Sequence, residues 1–340
     1  MRDFFSSILI SIFALLGFIL FSYFSQRTHS LNINLNLILN NLSTVILLAI
    51  LELSISFDNA IVNAKVLKKM SYFYKKLFFW IGLPIAVFGV RFLLPFILVD
   101  LSTPLNLTQA FMLAFHDPSQ YQLAVTQNSG VLYSFGAGFL IMVFLSFLKQ
   151  INSEKNFWLS LEKLKLLTLF FKIPGDLLLL GLIFSFVLFL LNKFNLNLAI
   201  AFYLGVLVQL GLHALGFKLS HLKLSGVLLL IYLEILDASF SLDGVLGAFA
   251  FTPDPIIMMT GLGIGAVFVR SLTLKLLNKN TLQNFIYLEH GAHYAMGILG
   301  LILFAEIFIH VPAALSAILS FSFIGKAFYD SKKYNKKFKI

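Results

Sequence analysis

The chain reads Glu52-Leu-Ser-Ile-Ser-Phe-Asp58-Asn59 in its first quarter and Asp237-Ala-Ser-Phe-Ser-Leu-Asp243-Gly244 in its third, with Glu234 one helical turn before the second stretch. The two stretches match each other. In both, an acid is followed by Ser at +2 and +4, an apolar residue at +5 and Asp at +6. Both lie inside long apolar runs. A carboxylate in hydrocarbon costs several kcal/mol, about 2.5–3.5 on insertion scales, so an acid in such a run is a candidate functional group.

The composition fits that setting. The chain of 340 residues is 59% hydrophobic and 12% charged, against about 25% charged in soluble domains. It contains 39 Phe and its mean hydropathy is +0.92. These values describe a polytopic membrane protein rather than a globule around one core. With no Cys, disulfides and thiolate ligands are excluded and the redox compartment is left open. Segment 4–24 is long enough to span and lacks a small-x-small cleavage site, so it reads as a first helix rather than a removed signal.

At about 20 apolar residues per crossing, ten spans are predicted, over 4–24, 38–64, 77–99, 131–148, 173–191, 196–217, 224–251, 256–274, 285–308 and 311–328. The Leu/Asn alternation of 25–37 reads as interfacial or as a short strand. Segment 100–130 reads as a longer loop with a short surface helix near 108–115. With the N-terminus cytoplasmic, the inner segments hold 21 of the 25 Lys and Arg, and the outer loops hold only Arg27 and Lys193. This asymmetry is the positive-inside rule. It explains the net charge of +10 by orientation, without nucleic acid.

Five spans separate the motif on span 2 from the motif on span 7, so the two copies run antiparallel. A second pair agrees. Span 3 carries Gly82 and Ala-Val-Phe-Gly-Val-Arg91; span 8 carries Gly263 and Ala-Val-Phe-Val-Arg270. The expected fold is an all-α polytopic membrane protein of about ten transmembrane helices in two inverted five-helix repeats, 1–193 and 194–340, within one integral membrane domain. Such symmetry suits alternating access around a central site.

The motifs offer oxygen ligands only: Glu52, Ser54, Ser56, Asp58 and Asn59 from one, and Glu234, Asp237, Ser239, Ser241 and Asp243 from the other. Carboxylate, amide and hydroxyl oxygens suit hard cations such as Mn²⁺, Ca²⁺ or Mg²⁺. Zn²⁺ is less favoured without nearby His. Residues six apart differ by about 120° around a helix, so Glu52 and Asp58 cannot share a face, nor can Asp237 and Asp243. Two readings stand. The helices break near Asp58-Asn59 and Asp243-Gly244, or each helix meets two different partners. Arg91 and Arg270 read as counter-ions of the acids. Two Arg against five acids leave an excess of negative charge that favours a bound cation or protons.

Other features carry less. Glu289 and His293, in Tyr287-Leu-Glu289-His290-Gly-Ala-His293, are i, i+4 and read either as interfacial or as a gate or proton relay. Glu306 and His310 read as interfacial. Gln209 and His213 read as a satisfied core pair. Asp176 reads as a first-turn residue favoured by the helix dipole. Gly261-Leu-Gly263-Ile-Gly265 reads as close helix packing, not as a nucleotide loop.

At these residues the sequence resembles the TerC family of integral membrane proteins. The family's Glu-x-x-x-Ser-x-Asp-Asn is met by Glu52, Ser56, Asp58 and Asn59. Its Glu-x-x-Asp-x-x-Phe-x-x-Asp is met by Glu234, Asp237, Phe240 and Asp243, and its Tyr-Leu-x-x-Gly by Tyr287, Leu288 and Gly291. The resemblance implies a divalent-cation transporter, associated with Mn²⁺ export or Ca²⁺ handling, with the ion between the two acidic helices. Gly244 stands where that family often has Ser, and the Glu289-His290-His293 cluster is not one of its general features, which points to a less characterised branch.

The expected function is secondary transport of a divalent cation, first Mn²⁺, out of the cytoplasm, driven by protons or sodium because no nucleotide-binding motif is present. Glu52, Asp58, Asn59, Glu234, Asp237 and Asp243 are the expected metal ligands. Ser56, Ser241, Arg91, Arg270, Glu289 and His293 are supporting residues. No permanent cofactor and no enzymatic activity are expected. The partners are the cation and membrane lipid. The expected location is a bacterial cytoplasmic membrane, with both termini cytoplasmic. Two alternatives stand beside it: an intramembrane aspartyl hydrolase built on Asp58 and Asp243, and a proton-coupled exporter of a small organic solute.

Overall fold

The computed structural model describes residues 2–29, 35–56, 60, 63–64, 66–68, 70–82, 84–154, 158–159, 176–191, 195–220, 226–278 and 286–338. Among them there is no strand. The helices are α1 (Arg2–His29), α2 (Leu35–Ile55), a composite α3 over 72–102, α4 (Leu107–His116), α5 (Pro118–Glu154), α6 (Asp176–Leu191), α7 (Leu196–Ser220), α8 (Gly226–Ala248), α9 (Pro255–Asn278), α10 (Leu288–Glu306) and α11 (Ala313–Phe338).

Among the described residues, seven helical segments are long and apolar enough to cross a membrane: Ser7–Phe24, Leu35–Ile55, Tyr72–Leu101, Gly130–Ile151, Leu196–Leu215, Pro255–Lys275 and Leu288–Glu306. The protein is thus an all-α polytopic membrane protein. The other three expected spans also coincide with helices, but of a different character. Helix α6 is apolar and only 16 residues long. Helix α8 carries Glu234, Asp237 and Asp243, and α11 mixes Ser, Lys and Asp into its sequence.

Two expected loops are shorter than their composition suggests. Helix α1 runs on to His29 and α2 begins at Leu35. The expected loop over 100–130 is mostly helical. Its surface helix is there, as α4, and α5 then starts at Pro118, well before its apolar stretch. Pro118 opens α5 at a position where a missing N–H costs nothing.

Helix α3 changes its winding along its length. It is α-helical over Tyr72–Leu77, π-helical over Phe78–Gly82 and Ile85–Phe92, and α-helical again over Leu93–Ser102. Pro84 lacks the N–H that would close a bond, and its ring crowds the carbonyl four residues back. Gly89 is the extra residue of Ala-Val-Phe-Gly-Val-Arg91 relative to Ala-Val-Phe-Val-Arg270. An i→i+5 turn holds one residue more than the α turn, so the widened winding falls where the sequence has its insertion.

The chain forms two compact units. One comprises Met1–Ile97, Phe111–Pro118 and Lys223–Gln283, and the other comprises Leu98–Ala110, Ser119–Leu222 and Asn284–Ile340. Each unit draws on both halves of the sequence, and the first contains both acidic motifs.

In the first unit α9 is the central helix. It packs along α2, where Gly261 and Gly265 remove the side chains that would hold the backbones apart: a Cβ on Gly261 would stand 2.6 Å from Leu48 Cβ and 2.8 Å from the Val45 carbonyl oxygen. This is the small-residue contact expected of helices in lipid. Helix α1 packs on α9 through Ser7, whose hydroxyl donates to the Val267 carbonyl at 3.2 Å and also meets the Ser271 hydroxyl. Beyond α2, Ala60 and Ala64 are fully buried against Val269. Asp254 caps α9, its Oδ1 accepting the N–H groups of Ile256 and Ile257 at 2.8 and 3.2 Å.

In the second unit the same device recurs. Gly138 of α5 and Gly205 of α7 each lie against the other helix's backbone, and Gly297 and Gly300 of α10 lie against Phe144 and Ile141 of α5. Gly291 of α10 abuts Ala327 of α11. Asp176 opens α6 as expected, and the structure adds its partner, Lys149 Nζ at 2.7 Å from Oδ1.

Candidate functional site

Glu52 sits three residues before the end of α2 with no exposed surface. Its Oε1 accepts two hydrogen bonds: one from Arg91 at 2.5 Å, which is also an ion pair, and one from the Ser56 hydroxyl at 2.7 Å. Helical spacing brings Ser56 one turn after Glu52, and the backbone bond from Ser56 N to the Glu52 carbonyl at 2.9 Å holds that register. Arg91 is itself buried, at 2% exposure, and its second nitrogen donates to the Ala86 carbonyl at 2.9 Å, five residues back in the π-helical turn. The π winding thus places a carbonyl where the guanidinium can use it.

The other carboxylate oxygen, Oε2, has no hydrogen-bond partner among the described residues. It faces Gly244 of α8: a Cβ there would stand 2.5 Å from it. Gly265 of α9 lies against the stem of the same side chain, where a Cβ would stand 2.5 Å from Glu52 Cβ and 2.7 Å from Cγ. The helix of the first motif therefore meets the helix of the second, with the Glu52 carboxylate at the contact. Gly244 follows Asp243 directly in sequence.

Glu234 lies nearly three turns before Gly244 on α8, in a second carboxylate–guanidinium setting. Its Oε1 and the Arg270 guanidinium both crowd the Cα of Gly82 in α3. Arg270 donates to the Phe78 carbonyl at 3.1 Å, and its guanidinium lies 3.8 Å above the Phe78 ring, a cation–π contact in a buried place. Glu234 also lines an otherwise apolar recess of about 370 Å³, with Leu77, Ile81, Gly82, Ile85, Leu230 and Ile231.

Of the two readings of the helices, α8 follows the second. It runs unbroken through Asp243-Gly244 to Ala248, so the expected break there is absent. The helix instead presents Glu234 to α3 and Gly244 to α2. A Gly inside a helix costs about 1 kcal/mol relative to Ala; here the missing side chain is what lets Glu52 approach. Asp58 and Asn59 lie outside the described residues, as do the side chains of Asp237, Ser241 and Asp243. Among the described residues no group of three or more His, Asp or Glu side chains is placed to hold a metal.

Glu289 and His293 belong to the second unit. His293 Nδ1 lies 2.9 Å from the Glu289 main-chain carbonyl oxygen, and its ring stacks on Phe147 with centroids 3.9 Å apart. His290 is buried among Phe147, Trp158 and Tyr287. The imidazoles are part of an aromatic packing layer. Gln209 pairs with Ser146 at 3.4 Å, and His213 is exposed, so these two are not the expected pair. Glu306 accepts the Val311 N–H at 2.9 Å and lies 3.5 Å from the exposed His310.

Sequence reading missed the three glycines as parts of the site. Gly82, Gly244 and Gly265 are visible in the sequence, but glycine inside an apolar run signals helix packing in general and does not say that the neighbour is a carboxylate. Outside the site, the Trp158 indole N–H donates to Asp330 at 2.9 Å.

No curated protein and no solved structure matches this chain. A family model described as "Protein of unknown function (DUF475)" matches residues 57–338, from just after Glu52 to the end of α11. That match covers most of the chain, and the protein belongs to the DUF475 family.

Proposed function

We propose that the protein is a secondary transporter that exports a divalent cation, Mn²⁺ in the first place, across a bacterial cytoplasmic membrane in exchange for protons or sodium. The observation that carries this reading is the state of Glu52. A carboxylate buried without exposed surface, with one oxygen held by Arg91 and Ser56 and the other lacking a partner among the described residues, is a group whose lone pairs await a ligand. It stands where the helices of the two acidic motifs touch.

In this reading Glu52, Asp58, Asn59, Glu234, Asp237 and Asp243 supply the oxygen ligands, and Arg91 and Arg270 hold the carboxylates when no cation is bound. The cation is the substrate. The helices belong to two inverted repeats of five spans, with both termini cytoplasmic. The two Glu–Arg settings support this, since each repeat contributes one Arg to a site that is built against a glycine of the other repeat. The TerC-like signatures support the same cargo.

The test is Mn²⁺ flux in proteoliposomes containing the full chain. Wild type carries Mn²⁺ and dissipates an imposed proton or sodium gradient while doing so. Asp58→Ala and Asp243→Ala each abolish the flux. Flux at the wild-type rate in either variant, or none in wild type under either gradient, removes the proposal. Cleavage of a membrane peptide by the same vesicles would instead support the hydrolase.

A further inference from the structure

Gly244 and Gly265 approach one side chain from two helices. A Cβ on Gly265 would collide with the Cβ and Cγ of Glu52, at 2.5 and 2.7 Å, and with the Ala49 carbonyl oxygen at 2.8 Å. A Cβ on Gly244 would stand 2.5 Å from Oε2, too close for contact, while Cδ at 3.7 Å would lie at an ordinary contact distance. One glycine thus bounds the stem of the glutamate and the other bounds its head. Arg91 and Ser56 fix the remaining corner, Oε1. No rotation about the terminal bond can exchange the two oxygens without breaking the ion pair.

We propose that Gly244 and Gly265 are positioning residues that form a notch for Glu52, so that Oε1 is committed to Arg91 and Ser56 and Oε2 alone is offered to a divalent cation. The inference rests on the reading of Glu52 as a ligand of the transported ion and adds how it binds. A carboxylate pinned in this way gives one oxygen, never two. Ca²⁺ takes six to eight oxygens and commonly uses both oxygens of a carboxylate, whereas Mg²⁺ requires an octahedron, which one-oxygen carboxylates and water complete well. Mn²⁺ shares the octahedral oxygen preference. The notch therefore favours octahedral ions over Ca²⁺. It also gives Gly244 a task in this chain, since a Cβ there would stand 2.5 Å from Oε2.

The test uses the purified full chain in detergent and isothermal titration with MnCl₂ and with CaCl₂. Wild type binds Mn²⁺ more tightly than Ca²⁺. Gly244→Ala lowers the Mn²⁺ affinity by about tenfold to a hundredfold, the range for groups that orient a metal ligand, and narrows the preference over Ca²⁺. The double variant Gly244→Ala/Glu52→Asp, whose carboxylate is one methylene shorter, recovers a large part of that loss. Gly17→Ala, at a position with no atom within 4 Å, binds as wild type does. Equal Mn²⁺ affinity in wild type and Gly244→Ala, or a double variant no better than the single, overturns the notch and leaves the transport reading standing. No Mn²⁺ binding in wild type overturns the transport reading itself. Should Gly244→Ala not fold, the wild-type preference decides: Mn²⁺ bound more tightly than Ca²⁺ supports the notch, and Ca²⁺ bound as tightly as Mn²⁺ overturns it.

Discussion

Arg91 and Glu52 meet at 2.5 Å across 39 residues of sequence, and neither side chain is more than 2% exposed. Breaking such a pair by removing one partner leaves an uncompensated buried charge, at a cost of about 3–5 kcal/mol. Replacing both partners is milder. Arg91→Met should therefore lower the thermal midpoint in detergent more than Arg91→Met/Glu52→Gln does. Midpoints in the reverse order would mean that Arg91 contributes by packing and not by charge.

The crossing of α2 and α9 rests on Gly261, which faces Leu48 Cβ and the Val45 carbonyl without room for a methyl group. Gly261→Ala should cost about 1–3 kcal/mol through overpacking. Gly17→Ala, in open space, should be neutral or raise stability by about 0.5–1 kcal/mol through helix propensity. Thermal midpoints of the two variants check this directly, and equal shifts would show that the crossing is looser than described.

Asp330 makes a pH-dependent prediction outside the apolar spans. Burial pushes its carboxyl upward, but hydrogen bonds from Lys326 and Trp158 outweigh this and hold it below the usual carboxylate range. A lowered value in the folded protein means that the contribution is full above the ordinary carboxylate range and is lost as pH falls through the lowered value. The chain has two Trp, so in a Trp80→Phe background the emission comes from Trp158, whose indole N–H donates to Asp330. Lys326→Met should move the emission change to higher pH, and Asp330→Asn should abolish it. A titration curve unaffected by Lys326→Met would rule out the Lys326–Asp330 pair as its cause.

Much of this was legible in the sequence. Apolar runs set the helices: seven of the ten expected spans fall on helices long and apolar enough to cross a bilayer, and the other three fall on α6, α8 and α11. The acids at 52 and 234 and the arginines at 91 and 270 were legible because a charge in an apolar run is costly and must be held by something. What composition cannot reveal is winding and close approach. The π-helical turns of α3 follow from Pro84 and Gly89 acting together, and only the comparison with Ala-Val-Phe-Val-Arg270 makes Gly89 look like an insertion. That Gly244 faces a carboxylate from α2 cannot be read from α8 alone. The helical start of 118–130 was missed because polar residues there read as loop, although they extend an apolar helix beyond its span.

The account stands on Glu52 Oε2 as a ligand of the transported cation, and an anomalous-difference map of crystals soaked in MnCl₂ tests this most directly. A single peak at about 2.0–2.6 Å from Glu52 Oε2, with Oε1 still on Arg91, is the predicted result. A peak bound elsewhere with Glu52 unaffected, or no peak at a concentration that saturates Mn²⁺ flux, would contradict it.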